Sequence, residues 1–413
     1  MSQLFERTPR EQRIANLAAS LGRSFAQGAA QHDRDGSFPH THYRRLHEAG
    51  YLRLAIPRAY GGEGASVFDM VLAQERLAAH DAATAIGVGM LLNVIGREAE
   101  FPSWPETVRQ RFFTTLAREG GIANSVVTEA ALGSISRGGK PAATATRVAG
   151  GWRVNGHKIF VTAAPALRYL LVAVQLPPSD GAPRGEVARA IVEAPARGLR
   201  IEPTWAGNLS QRAGGSDDVH FHDVFVADEW VVERQRVGEP APPPANGWWL
   251  SLVAVYLGIG QGALDAAADY ANGRKPSALG GQAIASLAQV QQTIGQIAIQ
   301  LDAARALLYA TARRWADHPQ ERERLGPQIA AAKQFVTNTV CQVTDQALRV
   351  AGGFSLTRDL VLERHFRDAR AGLFQPPQDD LALGLVGRSV LAARQAQEQT
   401  HDHSVDDAQR RAA

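Results

Sequence analysis

One cysteine among 413 residues, Cys341, excludes any intramolecular disulfide and is in keeping with a reducing compartment. Charge of one sign is also scarce. Lys and Arg total 44 against 41 Asp and Glu, a net of +3 spread along the chain, so the clustered basic face of a nucleic-acid binder is missing. No run reaches the ~18 uninterrupted apolar residues of a membrane span. The most apolar stretch, Trp248–Gly262, is short and passes into an amphipathic pattern. Met1 to Arg13 is polar and charged, without the apolar heart of a signal peptide. The expectation is a cytoplasmic globular protein with no nucleic-acid, membrane or metal partner. At 45% hydrophobic and 21% charged residues the composition excludes wholesale disorder and fibrous repeats.

What is present changes character twice along the chain. Residues 1–120 read as an N-terminal α-helical domain: Arg10–Ala30 is alanine-rich, Thr41–Ala49 stops at Gly50, and Phe68–Asp81 carries one apolar face. Residues 121–236 read as a small β-barrel or sandwich. Short β-branched and aromatic runs (Thr144–Val148, Trp152–Val154, Lys158–Thr162, Tyr169–Val174, Val187–Val192, Leu199–Pro203, Val219–Val226) are punctuated by Gly150-Gly151, Asn155-Gly156 and Pro177-Pro178. Asn155-Gly156 is a strong type I′ hairpin signal. Gly238 to Pro244 reads as a linker, and residues 237–396 as a helix bundle. There Leu287, Val290, Ile294, Ile297, Leu301, Ala304 and Leu308 form one apolar stripe, as in a bundle core or an oligomer seam. A polar tail, 397–413, is expected to fray.

Four segments carry a resemblance. They are Val127-Thr128-Glu129-Ala130-Ala131-Leu132-Gly133-Ser134; Gly151-Trp152-Arg153-Val154-Asn155-Gly156-His157-Lys158-Ile159-Phe160-Val161-Thr162; Arg212 to Val226; and Val350-Ala351-Gly352-Gly353 with Arg367-Asp368-Ala369 downstream. In this order they resemble the acyl-CoA dehydrogenase superfamily of flavoproteins over roughly residues 10–395. The resemblance implies helices, a β domain and a helix bundle around FAD, with FMN as the alternative. It places Val127, Thr128, Ser134, Phe160 and Thr162 along the flavin ring, and Arg274, Arg349, Gly352 and Gly353 near its distal end. Guanidinium forks suit phosphate oxygens, and paired glycines admit a close ligand. It also implies a homotetramer or homodimer whose sites are completed across subunit seams.

One departure bears on the reaction. Counting from Arg367-Asp368-Ala369, the glutamate that removes the α-proton of an acyl thioester in the dehydrogenases falls at Pro376, beside Gln375. The alternative slot used by some members is Trp248, followed by Trp249. Neither Gln375 nor Pro376 accepts a proton; Asp379 and Asp380 are substitutes only if the loop is rebuilt. A second branch, the two-component monooxygenases related to dibenzothiophene monooxygenase, takes reduced flavin from a separate reductase, reacts it with oxygen and needs no such base. Val255 to Ala267 resembles that branch, although its two histidines stand here as Gln375 and Leu91. The favoured expectation is a reduced-flavin, oxygen-dependent monooxygenase of a small organic molecule. Gln375 and Ser134 are then the catalytic candidates, with a pocket of Leu91, Asn93, Trp248, Trp249, Phe374 and Gln375. The alternatives are an acyl-CoA dehydrogenase with a relocated base and a non-catalytic flavin-binding homologue.

Overall fold

A computed structural model describes residues 7–131, 140–239 and 245–412. The N-terminal layer holds α1 (Pro9–Asp35), α2 (His40–Glu48), α3 (Val67–Ala78), α4 (Ala82–Glu100) and α5 (Glu106–Glu119). Local chemistry sets their starts. Thr8 with Glu11, and Ser66 with Asp69, close reciprocal capping boxes, and Asp81 caps α4 by accepting from Thr84 N–H.

Eight strands follow: β1 (Ile122–Val126), β2 (Thr144–Val148), β3 (Gly151–Val161), β4 (Leu167–Leu176), β5 (Glu186–Glu193), β6 (Leu199–Glu202), β7 (Asp217–Ala227) and β8 (Val231–Arg236). They form one mostly antiparallel sheet in the order β6-β7-β3-β2-β4-β5-β8, with β1 lying parallel to β4. The turn between β2 and β3 is Ala149-Gly150, with Val148 opposite Gly151 and Gly150 at φ 73°. Asn155-Gly156 is therefore not a hairpin. It is a bulge inside one continuous β3, where the register to β7 shifts between Val154 and Gly156. The Asn155 amide is engaged across the strands by Asp223, its Nδ2 donating to Oδ1 (2.8 Å) and its Oδ1 accepting from the Asp223 N–H (2.9 Å). At Gly156 a Cβ would stand 2.5 Å from that of Ala143. Cross-strand partners and a crowded neighbour, not a turn, select this dipeptide.

The bundle comprises α6 (Trp249–Gly273), α7 (Ala288–Asp317), α8 (Gly326–Ala351), α9 (Leu362–Ala369) and α10 (Asp379–Ala412), so helix continues through the segment expected to fray. By length and composition α6 could cross a membrane, but 78% of its most apolar window is buried among its neighbours: it is the core helix. The apolar stripe of α7 faces inward too. Ile297, Leu301, Ala304 and Leu308 are fully buried, and α7 packs on α3, α6 and α8. The C-terminal half of the stripe is bundle core, as one of the two readings had it, while Leu287, Val290 and Ile294 are only half-buried in this chain.

Two buried ion-pair nodes tie the layers together. Glu75 of α3 accepts from Arg305 Nε (3.0 Å) and from the hydroxyl of Tyr309, both on α7. Arg367 of α9 grips Asp33 of α1 (2.6 and 3.2 Å) and Glu363, and donates to the Leu209 carbonyl of the β domain (3.1 Å). The same turn adds Asp368, whose Oδ1 accepts the Gln211 N–H at 2.6 Å.

Candidate functional site

The β domain assembles the first half of the site. After β1 the chain runs along β3: the Ile159 N–H donates to the Thr128 carbonyl (3.0 Å). Lys158 Nζ, fully buried, donates to the Val127 carbonyl (3.3 Å), the Ala173 carbonyl (2.8 Å) and Glu129 Oε1 (2.6 Å), so all three of its protons are used. The remaining Glu129 contacts are the N–H groups of Ala142 and Ala143. Burial pushes the Glu129 carboxyl up, but the Lys158 hydrogen bond and these two N–H groups outweigh it and hold it below its usual 4.5. This pair fixes the strap that carries Thr128.

Phe160, at the end of that strap's track, holds a left-handed backbone (φ 57°), leaves 59% of its surface exposed and meets Trp205 edge-on at 5.8 Å. A non-glycine residue in that region is costly, and such strain collects at functional positions. Two residues on, the Thr162 hydroxyl faces Ser216 Oγ at 3.0 Å and its carbonyl accepts from Asn124. Val127, Thr128, Phe160 and Thr162 thus lie together along one track. Ser134 falls outside the described residues.

The second half is a turn after α8. Gly352 ends the helix at φ 60°, ψ −143°, a conformation open to glycine, and a Cβ on Gly352 or Gly353 would meet nothing within 4 Å. Bare backbone faces open space there. The Arg274 guanidinium lies over the Phe354 ring at 4.8 Å, so Arg274 joins this turn. Arg349 does not. It forms an i,i+4 pair with Asp345 on α8 (2.8 Å), and its side chain is 75% exposed. In this single chain Arg349 is engaged in a surface ion pair, and its expected contact with the distal end of the cofactor stays a proposal.

The expected pocket residues differ in their surroundings. Leu91 and Trp248 are buried core. The Trp248 ring sits so close to α4 that a Cβ at Gly96 would fall 2.0 Å from it, so the slot is filled by a packed indole, which accepts no proton. Asn93 Oδ1 accepts from Asn246 Nδ2 (2.6 Å), while Asn246 Oδ1 caps the start of α6 through the Trp248 N–H. Trp249 is half-buried against the core, Phe374 is 73% exposed and Gln375 is half-buried. Asp379 opens α10 and is held by Lys333 Nζ (3.2 Å) and Asn338 Nδ2 (2.7 Å), which makes it a strut between α8 and α10.

Where the domains meet, Gln375 faces a tyrosine that the sequence analysis did not single out. Tyr256 of α6 is fully buried, and its hydroxyl lies near the carboxamides of Gln375 and Gln211, with Asp368 close by. Burial raises the Tyr256 pKa strongly, so it stays a neutral O–H. Burial likewise pushes Asp368 up, to about 6. The available signal was a lone tyrosine in the apolar run Leu252–Gly260, since a buried phenol needs a partner.

Also on α9, buried His365 is pushed down to about 3 by desolvation and by Arg364 and His80. It is neutral when folded, whereas an unfolded chain protonates it below 6.5, so its contribution to stability falls as pH drops from 6.5 toward 3. Asp368 acts in the opposite sense, gaining stability as pH drops through 6. Urea titrations of the native protein and His365→Gln at pH 6.5 and 5 separate the two. The native protein is expected to lose about 2 kcal/mol more than the variant, at ~1.36 kcal/mol per unit. Equal losses would assign the acid sensitivity elsewhere.

Two helical domains packed on each other, with a β domain inserted between them in sequence, define a three-domain α+β class of fold. The chain belongs to the acyl-CoA dehydrogenase family. The models of the N-terminal, middle and C-terminal domains of acyl-CoA dehydrogenase match residues 8–119, 124–224 and 250–374. YdbM of Bacillus subtilis (strain 168), an acyl-CoA dehydrogenase by name, is 38% identical over 383 residues, covering 92% of this chain and 97% of its own. L-evernosamine nitrososynthase of a Micromonospora species is 28% identical over 386 residues, covering 90% and 87%. The structure of KijD3 in complex with FMN and a dTDP-linked amino keto sugar superposes with a TM-score of 0.81 at 25% identity, covering 94% and 95%.

Proposed function

We propose that this protein is a flavin-dependent oxidoreductase that uses reduced flavin and molecular oxygen to oxygenate a small organic molecule, with a separate reductase supplying the reduced flavin in the cytoplasm. The observation that carries this reading is the missing base. Gln375 and Pro376 occupy its slot, Trp248 is packed on α4 in the alternative slot, and Asp379 is spent on Lys333 and Asn338. The relatives that include a nitrososynthase and an FMN complex support a flavin here. When bound, the flavin supplies the electrons of the reaction. Phe160 would cover its ring, Thr128 and Thr162 would meet its polar edge, and Arg274 with Gly352-Gly353 would hold the distal end of FAD. Gln375 offers the substrate a hydrogen bond without taking its proton.

A second reading, a dehydrogenase with a relocated base, rests on Asp368, a buried carboxyl raised to about 6 near Gln375. To act so it would have to release the Gln211 N–H that it now holds. The two readings part in one experiment. Protein carrying photoreduced flavin is mixed with isotopically labelled oxygen and a panel of aromatic heterocycles and amino sugars. Label in a product, with coupled electron use, supports the oxygenase; flavin bleached anaerobically by a straight-chain acyl-CoA supports the dehydrogenase. Protein that binds neither oxidised nor reduced flavin on titration would leave a non-catalytic homologue.

The cofactor has its own test. Arg274→Ala is expected to weaken FAD about tenfold, the loss of a charge-assisted contact, and FMN less. Arg349→Gln should leave both within about twofold. Calorimetric titration reads both, and equal losses of FAD and FMN would argue for FMN as the working cofactor.

Assembly is expected to use the outer faces of the bundle, where Ile299, Phe335, Leu383, Val390 and Leu391 are exposed on α7, α8 and α10. A homotetramer is the expected state, with a dimer as the alternative. Light scattering at micromolar protein measures it; a monomer mass would contradict it.

A further inference from the structure

Two buried polar atoms stand without a hydrogen-bond partner where the β domain meets the bundle: Tyr256 Oη and Gln211 Nε2. Tyr256 is 1% exposed and Gln211 6%. The Gln375 and Gln211 carboxamides face the phenol, yet neither closes a well-formed hydrogen bond on it. Orphaned buried polar groups are uncommon and costly, and two side by side mark a place built for something else. Their positions are firmly held. Gln211 adopts a left-handed backbone (φ 50°), and its N–H is fixed by Asp368. The phenol ring packs against the loop before Gln375, where a Cβ on Gly372 would stand 2.9 Å from it.

Their chemistry narrows the occupant. Gln211 Nε2 is donor-only and the Tyr256 phenol stays protonated, so each has a proton to give. The leading charged influences on the phenol are Asp368 and Cys341, and the nearby guanidiniums are engaged elsewhere, Arg367 by Asp33 and Glu363 and Arg370 at Cys341, so an anionic group would meet a carboxylate before a free counter-charge. We infer that Tyr256 and Gln211, flanked by Gln375, form an uncharged subsite that binds a neutral carbonyl or hydroxyl oxygen of the substrate. This rests on the reading of Gln375 as part of the substrate pocket. It makes Tyr256 a specificity-determining residue and disfavours substrates whose reacting end is a carboxylate.

Tyr256→Phe isolates the hydroxyl because it keeps the ring and removes only the orphan. The flavin-loaded native protein and this variant are crystallised and soaked in acetone, and separately in acetate. The native crystal is expected to show the acetone oxygen within hydrogen-bonding distance of Tyr256 Oη and Gln211 Nε2, the variant to lose it, and acetate to stay away. A native site holding only water, a direct bond between the two side chains, or a preference for acetate would overturn the proposal. Thermal unfolding without additive is the second arm. The variant should melt no lower than the native protein; a fall of more than about 2 °C would make the hydroxyl a structural bond donor. Flavin absorbance in the same crystals keeps the outcomes apart. A bound carbonyl without flavin counts against the flavin reading alone, and bound flavin with an empty subsite against this inference alone.

Discussion

Lys158→Met is expected to destabilise the protein by about 3–5 kcal/mol, the cost of removing one partner of a buried ion pair. The substitution keeps the length of the chain and removes its charge. It strands Glu129 in the interior with two backbone N–H groups, and it leaves the carbonyls of Val127 and Ala173 without the ammonium they now share. The double variant Lys158→Met/Glu129→Gln should recover most of the loss, because the uncompensated charge is the main cost. Acid acts on the same node. The Glu129 carboxyl lies below 4.5 when folded, so its contribution is complete above 4.5 and is lost as pH falls through the folded value. Denaturant titrations of the native, single and double variants measure all of this. The same data bear on function: the strap held by this pair carries Thr128, so the single variant should also hold flavin less tightly. A single variant as stable as the native protein would show that Glu129 is relieved by water, not by Lys158.

Removal of the α-proton from a saturated acyl-CoA is expected to be slower by about 10²–10⁴-fold than with a positioned base. An α-proton is weakly acidic, and its loss needs an acceptor within hydrogen-bonding reach. The side chain at the counted position is Pro376, its neighbour is an amide, and Asp379 is turned to Lys333. The check is specific to the base. Butyryl-CoA incubated with flavin-loaded protein in deuterated buffer should keep its α-protons by NMR. Exchange on the timescale of turnover would point to Asp368, and Asp368→Asn should then abolish it.

Much of the architecture was legible because periodicity changes twice. Helical spacing gives way to short β-branched runs near residue 122 and returns at α6. The misses have physical causes. β1 contains Asn124 and Ser125, and β8 carries Glu233, Arg234, Gln235 and Arg236, as suits a strand at the end of the sheet, so neither looked like a strand. Asn155-Gly156 has hairpin composition, but Asp223 and Ala143, far away in sequence, make it a bulge. Motif order made legible that Thr128 lies beside the strand carrying Phe160 and Thr162. Lys158 with Glu129, and Gln211 with Tyr256 and Asp368, were not legible. Each set is assembled from separate elements, and no local pattern reports which buried polar atoms find partners. Arg349 was placed by motif position alone, and its local i,i+4 pairing with Asp345 was a separate feature of the helix surface.

The most direct test of the account is anaerobic mixing of the oxidised, flavin-loaded protein with butyryl-CoA while flavin absorbance is followed in a stopped-flow instrument. A chain with no proton acceptor at Gln375, Pro376 or Trp248 should leave the flavin oxidised throughout. Rapid bleaching would show that a base is present and that the protein is a dehydrogenase.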